Sequence, residues 1–93
     1  MDPFYQRNNV ILYHGDCLEV MPYLASQGAI VDLCLTDVPY GITACKWDVV
    51  IPIQPMWDGI HSLVKKTGAV CLFASQPFAS TLVTSNPKEF KYC

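Results

Sequence analysis

The chain of 93 residues is long enough for one domain at most. Hydrophobic residues make up 52% of it and charged residues 15%, a composition that excludes a disordered or solvating protein. The net charge of −2 gives no basic face of the kind that a stand-alone nucleic-acid-binding domain carries. The N-terminus is polar and no apolar run approaches the roughly 20 residues that span a bilayer, so we expect a cytoplasmic protein without membrane contact.

The cysteines do not form a metal-binding pattern. The sequence contains no Cys-x-x-Cys pair and no Cys/His spacing that suits zinc, so we predict no metal site and a reducing compartment. Three of the cysteines fall inside apolar runs and are typical of small core residues (Cys17, Cys34 and Cys71).

The first elements of the chain are a short strand and a helix. Residues 1–9 are polar and are expected to form a flexible N-terminus, so the predicted domain covers 10–93. Residues 10–14 are apolar and β-branched, which predicts a strand, and Asp16 is placed to cap the helix that follows. Pro22 should kink or shorten that helix. Its apolar residues recur at helical spacing (Cys17, Val20, Met21 and Leu24).

A second strand and a second helix flank a long loop. The run from Ile30 to Thr36 is almost continuously apolar, which favours a parallel strand buried on both faces. The Pro- and Gly-containing segment after it predicts a loop to about residue 53. Pro55 is then placed in the first turn of a helix, with residues 65–66 as basic residues at its C-terminus and Gly68 as its stop.

The remaining elements continue the alternation of strands and helices. Residues 69–74 predict a third strand, Ser75-Gln76-Pro77 a turn into a short helix, and 89–93 a fourth strand. This order predicts an α/β, partial Rossmann-like fold with a mainly parallel sheet of about four strands and flanking helices. Because the chain ends on a hydrophobic strand, we expect a truncated fold whose sheet edge is completed by a partner or a second copy.

The segment Asp37-Val38-Pro39-Tyr40 combines three groups that act well on an amino group of a nucleobase. The lone pair of an exocyclic amine is delocalised into the ring, and a carboxylate such as Asp37 can hold the amino hydrogens. The carbonyl of a stiff turn at Pro39 supplies a second acceptor. Tyr40 offers a ring on which a base flipped out of the duplex can stack.

Several motifs together resemble the amino-group DNA methyltransferases, which act on adenine N6 or cytosine N4. These motifs are ILYHGDCLEVM, VDLCLTDVPYG, KWD, AVCLFASQPF and FKYC. The arrangement is similar to the permuted class of phage and bacterial genomes. The resemblance implies that Asp37 and the Pro39 carbonyl hold the target amine of double-stranded DNA and that Tyr40 stacks on the base. Val38 departs from the family's usual Asp-Pro-Pro-Tyr.

The resemblance also implies S-adenosylmethionine as cofactor, with Asp16, Cys17 and Ser75 lining its site. The local sequence alone favours a helix cap over a cofactor contact for Asp16. In the same way, Ser75 or Gln76 is expected to cap the next helix. His14 and His61 are expected to be structural. Lys46-Trp47 could contact DNA, but we expect instead a loop whose tryptophan covers the core.

The chain lacks the Gly-x-Gly cofactor loop of the family, since no two of its glycines lie two residues apart. We therefore expect a truncated methyltransferase with little or no activity alone. One alternative is a methyltransferase-derived, non-catalytic phage-type protein that binds a host or partner protein as inhibitor or decoy. Another is an enzyme whose second half is a separate chain.

Overall fold

The computed structural model describes residues 1–41, 46 and 49–91. These residues form a mixed α/β structure, as the sequence predicts. In chain order its elements are β1 (Tyr5–Arg7), β2 (Val10–Leu12), α1 (Cys17–Ser26), β3 (Val31–Thr36), α2 (Ile53–Leu63), β4 (Val64–Leu72) and α3 (Phe78–Ser85).

The described strands form two separate two-stranded sheets. Strands β1 and β2 form an antiparallel hairpin in which Arg7 pairs with Val10, and Asn8 adopts a φ of 53° in the tight turn between them. The sequence had indicated no element before Val10. The predicted sheet of about four strands is therefore not formed by the described residues, because β2 pairs with β1 and does not join β3.

Strands β3 and β4 pair in parallel, and α2 lies between them in the chain, as the alternating sequence pattern predicts. Their register runs from Leu33 opposite Ala69 to Thr36 opposite Leu72. The prediction that β3 is buried on both faces is wrong for this structure, since Leu33 and Leu35 are 53% and 63% exposed. The opposite face, which carries Cys34, is the one that packs against the core.

Helix α2 ends earlier than was predicted from the position of the basic residues 65–66. Val64 takes an extended backbone conformation, with φ −81° and ψ 127°, so Lys65 and Lys66 lie in β4 and not in the last helical turn. Gly68 lies inside β4 as well. The register between Val31 and Leu33 is shifted there, which makes residues 65–68 an irregular stretch of the strand.

No strand forms in residues 89–91, where the fourth strand was predicted. Glu89 lies in a turn after α3, and residues 92–93 lie outside the described part of the chain. A helix long and apolar enough to cross a membrane is not found among the described residues.

The core lies between α2, the loop that precedes it and the start of α3. Met56 and Ile60 of α2 are fully buried, and Gly59 beside them brings α2 close to Met21 of α1. The buried members of this core cluster are Val38, Ile51, Met56, Ile60 and Phe78. Val38 lies within the Asp37–Tyr40 segment that the sequence marks as a candidate site, and Ile51 is bonded to that segment through Pro39.

Candidate functional site: the turn after strand β3

The turn from Asp37 to Tyr40 begins directly where β3 ends, at an end of the parallel strand pair. Asp37 is exposed, and its carboxylate has no hydrogen bond or ion pair with any residue that the structure describes. Val38 points the other way, is only 5% exposed and belongs to the core cluster. The second position of the motif thus anchors the turn, and this leaves Asp37 available to an incoming group.

The carbonyl of Pro39 is held in place from the far end of the loop. It accepts a hydrogen bond of 3.0 Å from the backbone N–H of Ile51, which is itself buried. A carbonyl oxygen has two lone pairs, so one remains for a second donor. The predicted acceptor role of Pro39 is compatible with this bond, which also fixes the direction of the carbonyl.

Tyr40 is half-buried, and its ring is stacked on the ring of Phe78. The ring centroids are 5.1 Å apart and the planes differ by 11°, which is an offset parallel stack. Phe78 is the first residue of α3 and is 5% exposed. Local sequence patterns gave no sign of this contact, which joins segments 38 residues apart in the chain.

Asp16 is a helix cap in this structure. One carboxylate oxygen accepts a hydrogen bond of 2.9 Å from the backbone N–H of Leu18, and its own carbonyl accepts from Glu19 and Val20. Cys17 follows as the first residue of α1. Burial, and then the charge of Asp16, raise the pKa of the Cys17 thiol, so it is not an activated thiolate.

The turn before α3 is also held by a side chain. The Oε1 atom of Gln76 accepts hydrogen bonds from the backbone N–H of Ser80 at 3.1 Å and from its hydroxyl at 2.8 Å. Ser75 is exposed, and its carbonyl accepts from the N–H of Ala79 at 2.9 Å. Gln76 therefore satisfies a first-turn donor of α3, but the N-cap residue is Pro77, so the prediction of Ser75 or Gln76 as the N-cap is wrong.

The residues predicted to bind the cofactor are exposed, but no described contact brings them together. Asp16 and Cys17 start α1, whereas Ser75 follows β4, and no hydrogen bond joins the two places. Two shallow hollows of the described surface lie between α1 and α2 and along α3, and neither is lined by any of the three. The assignment of these residues to a cofactor site stays a prediction.

A second polar cluster joins α2 to the segment after α3. His61 Nε2 lies 2.7 Å from Glu89 Oε1, and the Asn86 amide donates to the same oxygen at 2.5 Å. His61 also stacks on Trp57, with ring centroids 5.6 Å apart. The hydrogen bonds from His61 and Asn86 lower the pKa of Glu89. The sequence did not indicate this pair, because His61 and Glu89 lie 28 residues apart.

Metal-ligand geometry is not found within 1–41, 46 and 49–91, where no three His, Cys, Asp or Glu side chains cluster suitably. Of the Lys46-Trp47 pair, Lys46 is exposed and Trp47 lies outside the described residues.

Comparison with known proteins gives one partial similarity, and it is to a methyltransferase. That relative is the type II methyltransferase M.ScaI of Streptomyces caespitosus, which is 45% identical over 40 residues. The matched stretch covers 43% of this chain and 12% of the length of the relative. No protein-family model matches the chain, and no solved structure matches it. The chain is thus similar to a methyltransferase over part of its length.

Proposed function

We propose that this chain is the target-base-binding portion of an amino-group DNA methyltransferase, with little or no activity alone. The observation that carries the proposal is the turn after β3. It presents a carboxylate at Asp37 that has no partner among the described residues, a fixed carbonyl at Pro39 and a stacked ring at Tyr40 within four residues. The partial similarity to a type II methyltransferase supports the same class of reaction.

The three groups act on the base in complementary ways. Tyr40 takes one face of an unpaired base, which is worth about 1–3 kcal/mol for a stacked base. Asp37 and the Pro39 carbonyl then accept the two hydrogens of the exocyclic amine, which holds the nitrogen near tetrahedral geometry with its lone pair out of the ring. That geometry makes the nitrogen a better nucleophile toward an electrophilic methyl group.

S-adenosylmethionine is the methyl donor that this class of enzyme uses, and it supplies that electrophilic methyl group. Asp16, Cys17 and Ser75 are proposed to contact it only when further chain completes the pocket. Double-stranded DNA, with the target base flipped out, is the proposed substrate. Base flipping requires a few kcal/mol, so contacts beyond this turn must contribute to DNA binding.

The proposal is tested with a base that needs no flipping. A short single-stranded deoxyoligonucleotide with 2-aminopurine at its centre reports stacking by loss of fluorescence. We expect the wild-type chain to quench it and Tyr40→Leu to bind it about 5- to 100-fold more weakly, as loss of one stacking platform implies.

The role of Asp37 is tested by competition. Unlabelled oligonucleotides carrying central adenine or unsubstituted purine differ only in the exocyclic amine, and cytosine against its 4-unsubstituted analogue gives the matching pyrimidine pair. Wild type should prefer one amine-bearing base, and Asp37→Asn should lose that preference. Asp58→Asn is the matched control, since Asp58 is an exposed carboxylate on α2 that accepts a hydrogen bond from Gln54. An absence of quenching, or equal quenching by wild type and Tyr40→Leu, would contradict the proposal.

A second candidate function is binding of a protein partner by the open sheet. Leu33, Leu35 and Phe73 are exposed along one face of the β3–β4 pair, and these two strands have no further neighbour among the described residues. Such a face and such edges favour strand addition by a second copy or by a separate chain that supplies the second half of an enzyme.

Solution mass distinguishes this candidate from the first. A dimer that Leu35→Lys returns to monomer would support pairing through this face, whereas Lys66→Glu serves as an exposed β4 control away from it. A strict monomer at high concentration would contradict self-association and leave the base-binding proposal standing.

A further inference from the structure

The contact between Tyr40 and Phe78 extends the proposed site beyond the motif itself. Tyr40 belongs to the loop after β3, and Phe78 begins α3, after β4. Because β3 and β4 are parallel neighbours, the loop and the helix start from the same end of the pair. The ring of Phe78 lies almost parallel to that of Tyr40, so it occupies one of the two faces of the tyrosine.

Phe78 is well placed to act as a rigid support. It is 5% exposed and belongs to the same core cluster as Val38, the second residue of the Asp37–Tyr40 turn, and Ile51, whose N–H holds the Pro39 carbonyl. The first turn of helix α3, which it starts, is closed locally by Gln76, whose Oε1 atom accepts from the backbone N–H of Ser80. The burial of Phe78 is what holds its ring against that of Tyr40.

The far end of α3 is tied to α2. The indole N–H of Trp57 donates a hydrogen bond of 2.9 Å to the hydroxyl of Ser85, the last residue of α3. This end of the helix is thus tied to a neighbouring element, and Phe78 at the other end is held by its own burial. The Phe78 ring therefore limits the tilt of a ring that stacks on it.

Resting on the proposed function, we infer that Phe78 is a positioning residue for the target base. It orders the Tyr40 ring before the base arrives, so that the base adds to the other face as the third member of a Phe78–Tyr40–base stack. The physical advantage is preorganisation, since a ring that is already held loses less side-chain freedom when it binds. The motif tyrosine alone would lack this support, because it lies in a loop.

The test uses the 2-aminopurine oligonucleotide with the full chain and four variants. Phe78→Leu keeps an apolar side chain in the core but removes the ring face, and we expect it to bind about two- to tenfold more weakly, the range that an aromatic pair contributes. Phe78→Tyr keeps the ring and should restore binding to within about twofold of wild type. Tyr40→Leu sets the lower limit.

Leu63→Ala is the matched stability control. Leu63 is buried in α2 but lies outside the cluster that contains Phe78. Its truncation should weaken the fold in urea while leaving base affinity unchanged. With 3-fluorotyrosine incorporated, the resonance assigned to Tyr40 by the Tyr40→Phe variant should move in Phe78→Leu and not in Leu63→Ala.

Each other outcome overturns a separate statement. If Phe78→Leu binds like wild type, the positioning role is wrong and the base-binding proposal stands. If Phe78→Leu and Leu63→Ala lose affinity equally, Phe78 acts through stability alone. If wild type binds no better than Tyr40→Leu, the proposed function itself fails, and the role of Phe78 fails with it.

Discussion

The backbone N–H of Ile51 donates to the carbonyl of Pro39 at 3.0 Å and so joins the start of the long loop to its end. Ile51 is 4% exposed, so the donor is fixed by burial of its own side chain in the core cluster. This one residue therefore links core packing to the direction of the proposed acceptor.

Truncation of Ile51 should affect both stability and the site. Ile51→Ala removes a buried side chain and should lower the free energy of unfolding by about 2–4 kcal/mol. Urea unfolding followed by circular dichroism measures this change. Ile30→Ala is the matched control, because Ile30 is 75% exposed and its truncation should change stability by no more than about 0.5 kcal/mol. Equal effects of the two variants would contradict the assigned burial.

Asp16 should behave as a cap when it is replaced. Asp16→Ala leaves the N–H of Leu18 without its side-chain acceptor and should cost about 0.5–2 kcal/mol of stability, whereas Asp16→Ser and Asp16→Asn retain an acceptor and should lie near wild type. Thermal unfolding of the three variants measures the order. If all three lose equal stability, the carboxylate charge matters and not the capping bond.

Local patterns along the chain predicted the elements that depend on local chemistry. Helix α1 begins after Asp16 because the aspartate satisfies an exposed N–H, and it runs through Pro22 to Ser26 in spite of the proline. Two residues after its end, Gly28 takes a φ of 84°, which a glycine adopts without strain. The parallel pairing of β3 with β4 followed from the helix between them.

The predictions that were wrong concern features that depend on contacts between residues distant in the chain. A continuous apolar strand predicts burial on both faces, but Leu35 lies exposed because no described element covers it. Lys65 was predicted to end a helix. It lies instead in β4, where its Nζ atom forms an ion pair of 2.6 Å with Oδ1 of Asp32 in β3. The turn at Asp37 was recognisable as a candidate site from its residue types, whereas its support by Ile51 and Phe78 required the folded chain.

Stability should depend on pH through Glu89. The hydrogen bonds from His61 and Asn86 lower its pKa in the folded chain below the ordinary value of 4.5. A carboxylate with a lowered pKa contributes stability above its unfolded pKa and loses it as pH falls through the folded pKa. We therefore expect a loss below pH 4.5 that Glu89→Gln removes.

The size of this loss should be small. The Glu89 side chain is 58% exposed, so solvent screens the interaction and we expect no more than about 1 kcal/mol. Urea midpoints between about pH 3 and 6, which brackets the ordinary pKa of 4.5, measure this loss of stability. Asp2→Asn is the control for an exposed N-terminal carboxylate. An unchanged pH profile in Glu89→Gln would show that the bond does not form in solution.

Gly68 should be the glycine least tolerant of a side chain among those with an ordinary φ. A Cβ there would lie 2.6 Å from Val64 Cγ1 and 2.8 Å from the carbonyl oxygen of Asp32, and the second of these atoms is backbone of the paired strand. Gly68→Ala must therefore move β4 away from β3 and should cost about 1–3 kcal/mol. Gly15→Ala is the matched control, since its Cβ would make only an ordinary contact at 3.6 Å from Val20. Chemical unfolding of both variants measures the difference.

Similar stabilities would mean that residues 65–68 do not approach β3 as closely in solution. Amide exchange of Ala69 to Leu72 would then locate the change.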